Sequence, residues 1–456
     1  MMRFVSAGVV FLCAIAHASG TTATISGAEQ DVLPQPCATD PVYQEFERIQ
    51  ADAYLSDRDL QFRLFLDPDL QARIRQRVIQ DLRRRVADTH AVLAVDPGSG
   101  REIETKLANL KTPTCYENAA LYFMIEKYAR DVETARRELY LPLPRIPKFG
   151  SLPGNDINAH TYPLLNGRGE VIAINSQLFT FIYKMTALAV LSVDPTFSTR
   201  RPSEAEEITQ ALIAISYNQR AKQDFASAIV GLLLGKPVAR GPVNPAQEPL
   251  LVSLAAAIER FVFAHEYGHL IKRHLSCKVT ISTGATGNDE NVVFARTWQQ
   301  EFEADLVGSQ LMVHILRRLS EENPSLTQYF VYALKAPLFF FKCMELLDQA
   351  KEMQETGKMP VQKSQSNKAL IRRCAEGRIA DSERTQCADA MADDHPPAWL
   401  REERLQKEID QVLAKLPKSQ KNSAASNKAD ELLFNLAIFW QETSTQILKQ
   451  LTEEAN

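Results

Sequence analysis

"FVFAHEYGHLIKRH" (residues 261–274) places three histidines within ten residues of a chain that has only eight. On an α-helix, residues four apart share a face and lie about 6 Å apart along the axis, so His265 and His269 can direct their imidazoles at one ion. Glu266 lies beside them, where its carboxylate can hold a metal-bound water and take its proton. The stretch therefore predicts a helix that carries half of a metal site. The simpler alternative is a charged helix face that happens to hold histidines.

A catalytic zinc needs three protein ligands and an open fourth position, so a further ligand is required. His274 lies five residues beyond His269, which on a continuous helix is about 140° around the axis, and this predicts a surface or packing histidine. "QEFEADLVG" (300–308) is a better source. Glu301 and Asp305 are four residues apart on a predicted helix, so one carboxylate can bind the metal while the other hydrogen-bonds a ligand imidazole.

The acidic residues of this second segment also have a purely structural explanation. Carboxylates in the first turn of a helix are stabilised by the helix dipole. Glu303 could compete with Glu301 as a ligand, but it points to another side of the helix if Asp305 faces the site. A metal site is favoured over this structural explanation because the first helix offers two histidine ligands and the second helix offers the further carboxylate ligand.

Together these helices resemble the gluzincin metallopeptidases, and most closely the M48-like group. A helix of the form HExGHxxxRH, followed by a helix with ExxAD, is typical of that group. The matching residues here are His265-Glu266-Tyr267-Gly268-His269 with Arg273-His274, and Glu301 with Ala304-Asp305. The resemblance implies one Zn²⁺ per chain bound by His265, His269 and Glu301, with Glu266 as the general base and Asp305 orienting a ligand imidazole.

Two weaker segments fit the same resemblance. "HPPAWLR" (395–401) is similar to the group's late histidine-proline segment, which would bring His395 and Arg401 to the site to stabilise the oxyanion of the tetrahedral intermediate. Its alternative explanation is a helix start with prolines in the first turn. "NAHTY" (158–162) resembles the strand upstream of the zinc helix, and an edge strand there could hold an extended peptide by main-chain hydrogen bonds.

The N-terminus has the three-part layout of a secretory signal. A basic Arg3 precedes an apolar run and the small-x-small triplet Ala16-His17-Ala18, so residues 1–18 are predicted to be a signal peptide with cleavage after Ala18. The run is shorter than the ~20 apolar residues that span a bilayer. The protein is therefore expected to be exported, to the periplasm or the extracellular space.

Cysteine usage agrees with export. Six cysteines remain after Cys13 is removed with the signal, which permits three disulfides in 15 possible connectivities. Cys374 and Cys387 are the favoured pair because they are close together in a polar segment.

The predicted fold class is α+β and mainly α-helical: a zincin-type catalytic domain with a small sheet, plus extra helices at both ends. Two short strands are expected around an Asn166-Gly167 turn. A proline- and glycine-rich stretch at 141–155 predicts a boundary. The predicted domains are an N-terminal helical region (19–145), an M48-like metallopeptidase domain (146–410), and a linker with a C-terminal helix (411–456).

The predicted function is a zinc-dependent endopeptidase that acts on exported or envelope proteins. Its partners would be a protein or peptide substrate and possible envelope proteins. A net charge of -4 does not favour nucleic acid, and no transmembrane segment is expected after signal cleavage. The His269–Glu301 gap is shorter than is expected of membrane-embedded members, which favours a soluble, exported relative. The alternatives are a non-catalytic, metal-stabilised chaperone or binding protein, and a zinc amidase acting on cell-wall peptides.

Overall fold

The computed structural model describes a large part of the chain. The described residues are 37–56, 109–154, 156–164, 169–191, 219–234, 247–276, 298–322, 327–360, 365–376, 395–415 and 424–455, with single positions at 69, 72, 73, 76, 105, 106 and 167. The predicted signal peptide, Cys277 and Cys387 lie outside them. Within them the chain is mainly helical with one small sheet, as the sequence predicts.

Ten α-helices and three strands form the described architecture. In chain order they are α1 (Pro41–Ser56), α2 (Ala119–Glu138), β1 (Lys148–Leu152), β2 (Ala159–Leu164), β3 (Gly169–Asn175), α3 (Ser176–Leu191), α4 (Gln219–Leu233), α5 (Glu248–Ile271), α6 (Trp298–Glu322), α7 (Thr327–Thr356), α8 (Gln365–Ala375), α9 (Ala398–Lys415) and α10 (Ala424–Ala455). A short 3₁₀ turn, His274–Ser276, follows α5.

The sheet has the strand order β1-β3-β2, with β1 parallel and β2 antiparallel to β3. The two strands expected around residue 167 are present as β2 and β3. The third strand, β1, lies in the stretch that the sequence marks only as a boundary. Its five residues have no clear alternation of apolar and polar side chains, and its pairing with β3 is a tertiary contact that local sequence does not encode.

The central strand β3 is covered on both faces. Val171 and Ala173 pack in a small core with Phe46 of α1, while Ile172 and Ile174 belong to the main core. This alternation follows from the two-residue period of a strand. The sheet is therefore fixed between α1 and the helical body.

Helix α5 lies at the centre of that body. It is buried along nearly its whole length and packs against α2, α3, α6 and α7. Helix α7 is continuous through Pro337. Because α1, α2 and α10 also pack on elements of residues 146–410, the proposed domain limits stay predictions.

One disulfide joins Cys37, just before α1, to Cys115, just before α2. Cys374 is also disulfide-bonded, but its partner is not among the described residues, so the predicted bond to Cys387 is not tested. Cys343 is buried and free, which leaves at most two disulfides among the six cysteines. In the described ranges, no helix has both the length and the apolar character needed to cross a membrane.

Candidate metal centre

Helices α5 and α6 approach each other unusually closely beside the histidines. A Cβ on Gly268 would lie 2.8 Å from the Cα of Ala304, and a Cβ on Gly308 would lie 2.9 Å from the backbone nitrogen of His265. Real Cβ atoms do not come this near to backbone atoms, so both positions require glycine. The small residues let the second helix bring its carboxylates to the first.

Three side chains converge between the two helices. The Nε2 atoms of His265 and His269 are 3.1 Å apart. Glu301 places its carboxylate oxygens 3.5 Å from Nε2 of His265 and 3.4 Å from Nε2 of His269. Ligands held about 2.0–2.1 Å from a tetrahedral zinc are roughly 3.3 Å from one another. One Glu301 oxygen faces each imidazole, Oε2 toward His265 and Oε1 toward His269, so the two imidazole nitrogens and this carboxylate converge on one position that could hold a metal ion.

Glu301 has the properties of a metal ligand. It is fully buried, and neither of its carboxylate oxygens has a hydrogen-bond partner. Burial would raise its pKa, but the nearby His265 and Arg401 outweigh burial and hold the pKa well below its ordinary value. A buried, ionised carboxylate is stabilised by neighbouring cations, and Glu301 lies between Arg401, 3.4 Å away, and the position on which the two imidazoles converge.

Glu266 has a different environment. Its Oε1 is 4.0 Å from Nε2 of His265, farther than Glu301, while its Oε2 accepts a 2.6 Å hydrogen bond from the hydroxyl of Thr161 in β2. The donor atoms of His265, Glu266 and His269 all lie within 4.8 Å of one another. This position, beside the imidazoles and fixed by Thr161, suits a carboxylate that contacts a metal-bound water.

The outer nitrogen of His265 is held by a buried ion pair. Asp305 Oδ1 lies 2.9 Å from His265 Nδ1. Arg401 donates two hydrogen bonds to the same carboxylate, from Nε to Oδ2 at 2.8 Å and from a terminal nitrogen to Oδ1 at 2.6 Å. Its other terminal nitrogen lies 3.4 Å from Glu301. Asp305 thus has the orienting position that the sequence predicts, and Arg401 fixes Asp305 in turn.

The outer nitrogen of His269 is held by His274. Helix α5 ends at Ile271, and Arg273 adopts a left-handed conformation (φ 58°) that turns the chain back. His274 is consequently buried, with its Nδ1 2.9 Å from His269 Nδ1 and its Nε2 3.3 Å from Glu303. A continuous helix would turn His274 away from the site, and on that basis the sequence predicts that it is not a ligand. The turn at Arg273 instead places His274 against the outer nitrogen of His269.

His395 and a wide cleft complete the site. His395 Nε2 lies 3.8 Å from Glu301, and its side chain is 43% exposed. The cleft has a volume of about 1570 Å³, and its wall includes His265, Glu266, His395 and Arg401. Residues 156–159, which lead into β2, also line the cleft.

The structure brings together all of the predicted site residues: His265, Glu266, His269, Glu301, Asp305, His395 and Arg401. Three contributors were not predicted in these roles: Thr161, His274 and Glu303. Thr161 stands in the quoted "NAHTY" stretch, but only the packing of β2 on α5 shows which glutamate it bonds. For His274 and Glu303, the sequence gives no signal that they contact each other or His269.

Comparisons with protein-family profiles, with curated proteins and with solved structures identified no significant match.

Proposed function

We propose that the protein is a zinc-dependent endopeptidase of the gluzincin type, similar to the M48-like group, that acts on exported or envelope proteins. The observation that carries the proposal is the position of Glu301. A carboxylate from a second helix lies 3.4–3.5 Å from both imidazole nitrogens of the first helix, fully buried and without a hydrogen bond.

His265, His269 and Glu301 would hold the zinc, leaving one position open for water or substrate. Bound there, zinc would polarise the scissile carbonyl and lower the pKa of the attacking water. Glu266, whose Oε2 accepts a hydrogen bond from Thr161, would take the proton from that water and would then deliver it to the leaving amine.

The two late residues have separable proposed roles. His395 is half-exposed and lines the cleft, so its imidazole can approach the substrate oxygen and stabilise developing negative charge. Arg401 is mostly buried and is paired with Asp305. It would act chiefly by positioning the Asp305–His265 pair, with a smaller electrostatic effect on the oxyanion.

The cleft supports a polymeric substrate. Its volume of about 1570 Å³ exceeds the roughly 300–1,000 Å³ of ordinary small-molecule pockets. In the described sheet, β2 pairs only with β3, so its outer edge can accept an extended peptide by main-chain hydrogen bonds. Support for export comes from the Cys37–Cys115 disulfide, since such bonds persist in oxidising compartments.

The test uses the purified full chain without its predicted signal. We would measure bound zinc by elemental analysis, and cleavage of an unfolded, fluorescently labelled casein. Glu266→Gln should keep zinc and lose cleavage by at least 100-fold, in line with the usual contribution of a general base of about 10²–10⁴. Glu322→Gln, at the far end of α6, is the matched control and should retain both.

Other outcomes would replace the proposal. Wild-type protein without zinc, or undiminished cleavage by Glu266→Gln, would contradict it. Bound zinc with no cleavage of any protein, together with unfolding of His265→Ala, would favour a metal-stabilised binding protein. Cleavage of peptidoglycan peptides in place of casein would favour the amidase.

A further inference from the structure

His274 and Glu303 support His269 in the candidate metal site, as Asp305 supports His265. The contact between His269 Nδ1 and His274 Nδ1 is 2.9 Å, and the two rings meet edge to face at 5.1 Å. From His274, Nε2 continues to Glu303 Oε2 at 3.3 Å. Glu303 is itself fixed by Gln299, whose Nε2 donates a 3.0 Å hydrogen bond to Oε1.

The protons of this chain can be assigned in one consistent way if His269 binds a metal through Nε2. Its remaining proton is then on Nδ1 and is donated to Nδ1 of His274. That leaves the proton of His274 on Nε2, from which it is donated to Glu303. Each imidazole nitrogen has one partner of the correct type, so the chain fixes the tautomer and the ring orientation that metal binding requires.

Burial makes this contact specific. His274 is 7% exposed and His269 is fully buried, so water cannot replace the hydrogen bond to His269 Nδ1 without rearrangement. The left-handed Arg273 turns the backbone so that His274 can reach His269. An ordinary helix end would leave the histidine in solvent.

We propose that His274 and Glu303 are positioning residues that hold His269 in its metal-binding orientation and slow the release of zinc. The inference rests on the proposed zinc site and adds a role for two residues outside its ligand set. Partners of this kind commonly change metal affinity by about 10–100-fold when they are removed.

The experiment measures zinc release from the purified full chain into a chromophoric chelator. His274→Leu should release zinc about 10–100-fold faster than wild type. His274→Gln should recover part of the loss, because the glutamine amide offers an acceptor to His269 and a donor to Glu303. Glu303→Ala should have a smaller effect, and adding it to His274→Leu should cause no further loss, since the carboxylate acts through His274.

A second histidine–glutamate pair, formed by His314 on α6 and Glu138 on α2, provides the matched control. His314 on α6 bonds Glu138 at 2.7 Å, and it lies 13 residues, or roughly 20 Å along the axis, from Glu301. His314→Leu should release zinc at the wild-type rate. Far-ultraviolet circular dichroism and the unfolding midpoint of the metal-free protein report whether each variant folds. If His274→Leu does not fold, His274→Gln and Glu303→Ala carry the test.

Two failures are distinguishable. Wild-type protein that holds no zinc would overturn the proposed function. Zinc bound by wild type and released at the same rate from folded His274→Leu, or from both Glu303→Ala and His274→Gln, would overturn this inference alone.

Discussion

At the scale of single residues, Glu301 and Glu266 differ in what holds them. Glu301 has no hydrogen bond and faces two imidazoles, whereas Glu266 is held by the hydroxyl of Thr161. These surroundings support a division of labour in which one carboxylate binds the metal and the other moves a proton. Thr161 then fixes the position of Glu266 through its Oε2.

Thr161→Val tests this assignment because valine keeps the shape and removes the hydroxyl. A hydrogen bond to a charged group is worth about 1.5–3 kcal/mol, so kcat should fall roughly 10–100-fold while KM and zinc content stay constant. Thr161→Ser is the control and should keep most of the activity. A kcat unchanged in Thr161→Val would show that Glu266 does not need this contact.

Zinc affinity should depend on pH through His265. Burial opposes its protonation, but the contact with Asp305 and the neighbouring carboxylate of Glu301 outweigh burial and raise its pKa to about 9. Zinc must therefore displace a proton at neutral pH, and the apparent dissociation constant should rise about tenfold or more for each pH unit from 8 down to 6. Competition with a chelator of known affinity measures this slope, and a flat profile would contradict the protonated state.

At the scale of the elements, the site depends on how closely α5 and α6 approach. Gly308 lies against the backbone of His265, and Gly268 against Ala304. The 3.4–3.5 Å distances to Glu301 follow from that contact. Side chains larger than hydrogen at these positions must separate the helices.

Gly308→Val should therefore impair the metal site without touching a ligand. Overpacking of this kind usually costs about 1–3 kcal/mol of stability, and displacement of Glu301 should lower zinc affinity as well. Thermal unfolding with and without zinc measures both effects. Gln310→Ala, an exposed position on the same helix, is the control; wild-type zinc affinity in Gly308→Val would show that the close contact is dispensable.

The sequence predicts the two helices of the site well, because HExxH and ExxAD each place their residues four apart on one helix face. It predicts β2 and β3 from their turn. It does not predict β1, whose pairing is a tertiary contact, nor the return of His274, which depends on a left-handed Arg273. Non-glycine residues rarely adopt that conformation, so no local pattern signals it.

At the scale of the whole molecule, the N-terminal helices support the sheet that carries Thr161. Helix α1 covers the outer face of the sheet. The Cys37–Cys115 disulfide ties its start to the start of α2, and the carboxylate of Glu47 accepts backbone hydrogen bonds from both cysteines. The packing behind the cleft thus includes residues far outside the two motifs.

The double variant Cys37→Ser/Cys115→Ser should be less stable than wild type. The disulfide spans 78 residues, and loss of a bond that closes a loop of this size costs roughly 2–5 kcal/mol. Denaturant unfolding measures the difference. Cys343→Ala, which removes a free cysteine, is the control for cysteine replacement; a double variant as stable as wild type would show that α1 is held by packing alone.

The central claim is that one zinc ion joins α5 to α6. The most direct measurement is an anomalous difference map, recorded at the zinc edge from crystals of the purified protein. A single strong peak is expected about 2.0–2.2 Å from His265 Nε2, His269 Nε2 and a carboxylate oxygen of Glu301. A map with no peak there, or a peak bound by Glu266 with Glu301 turned away, would contradict it.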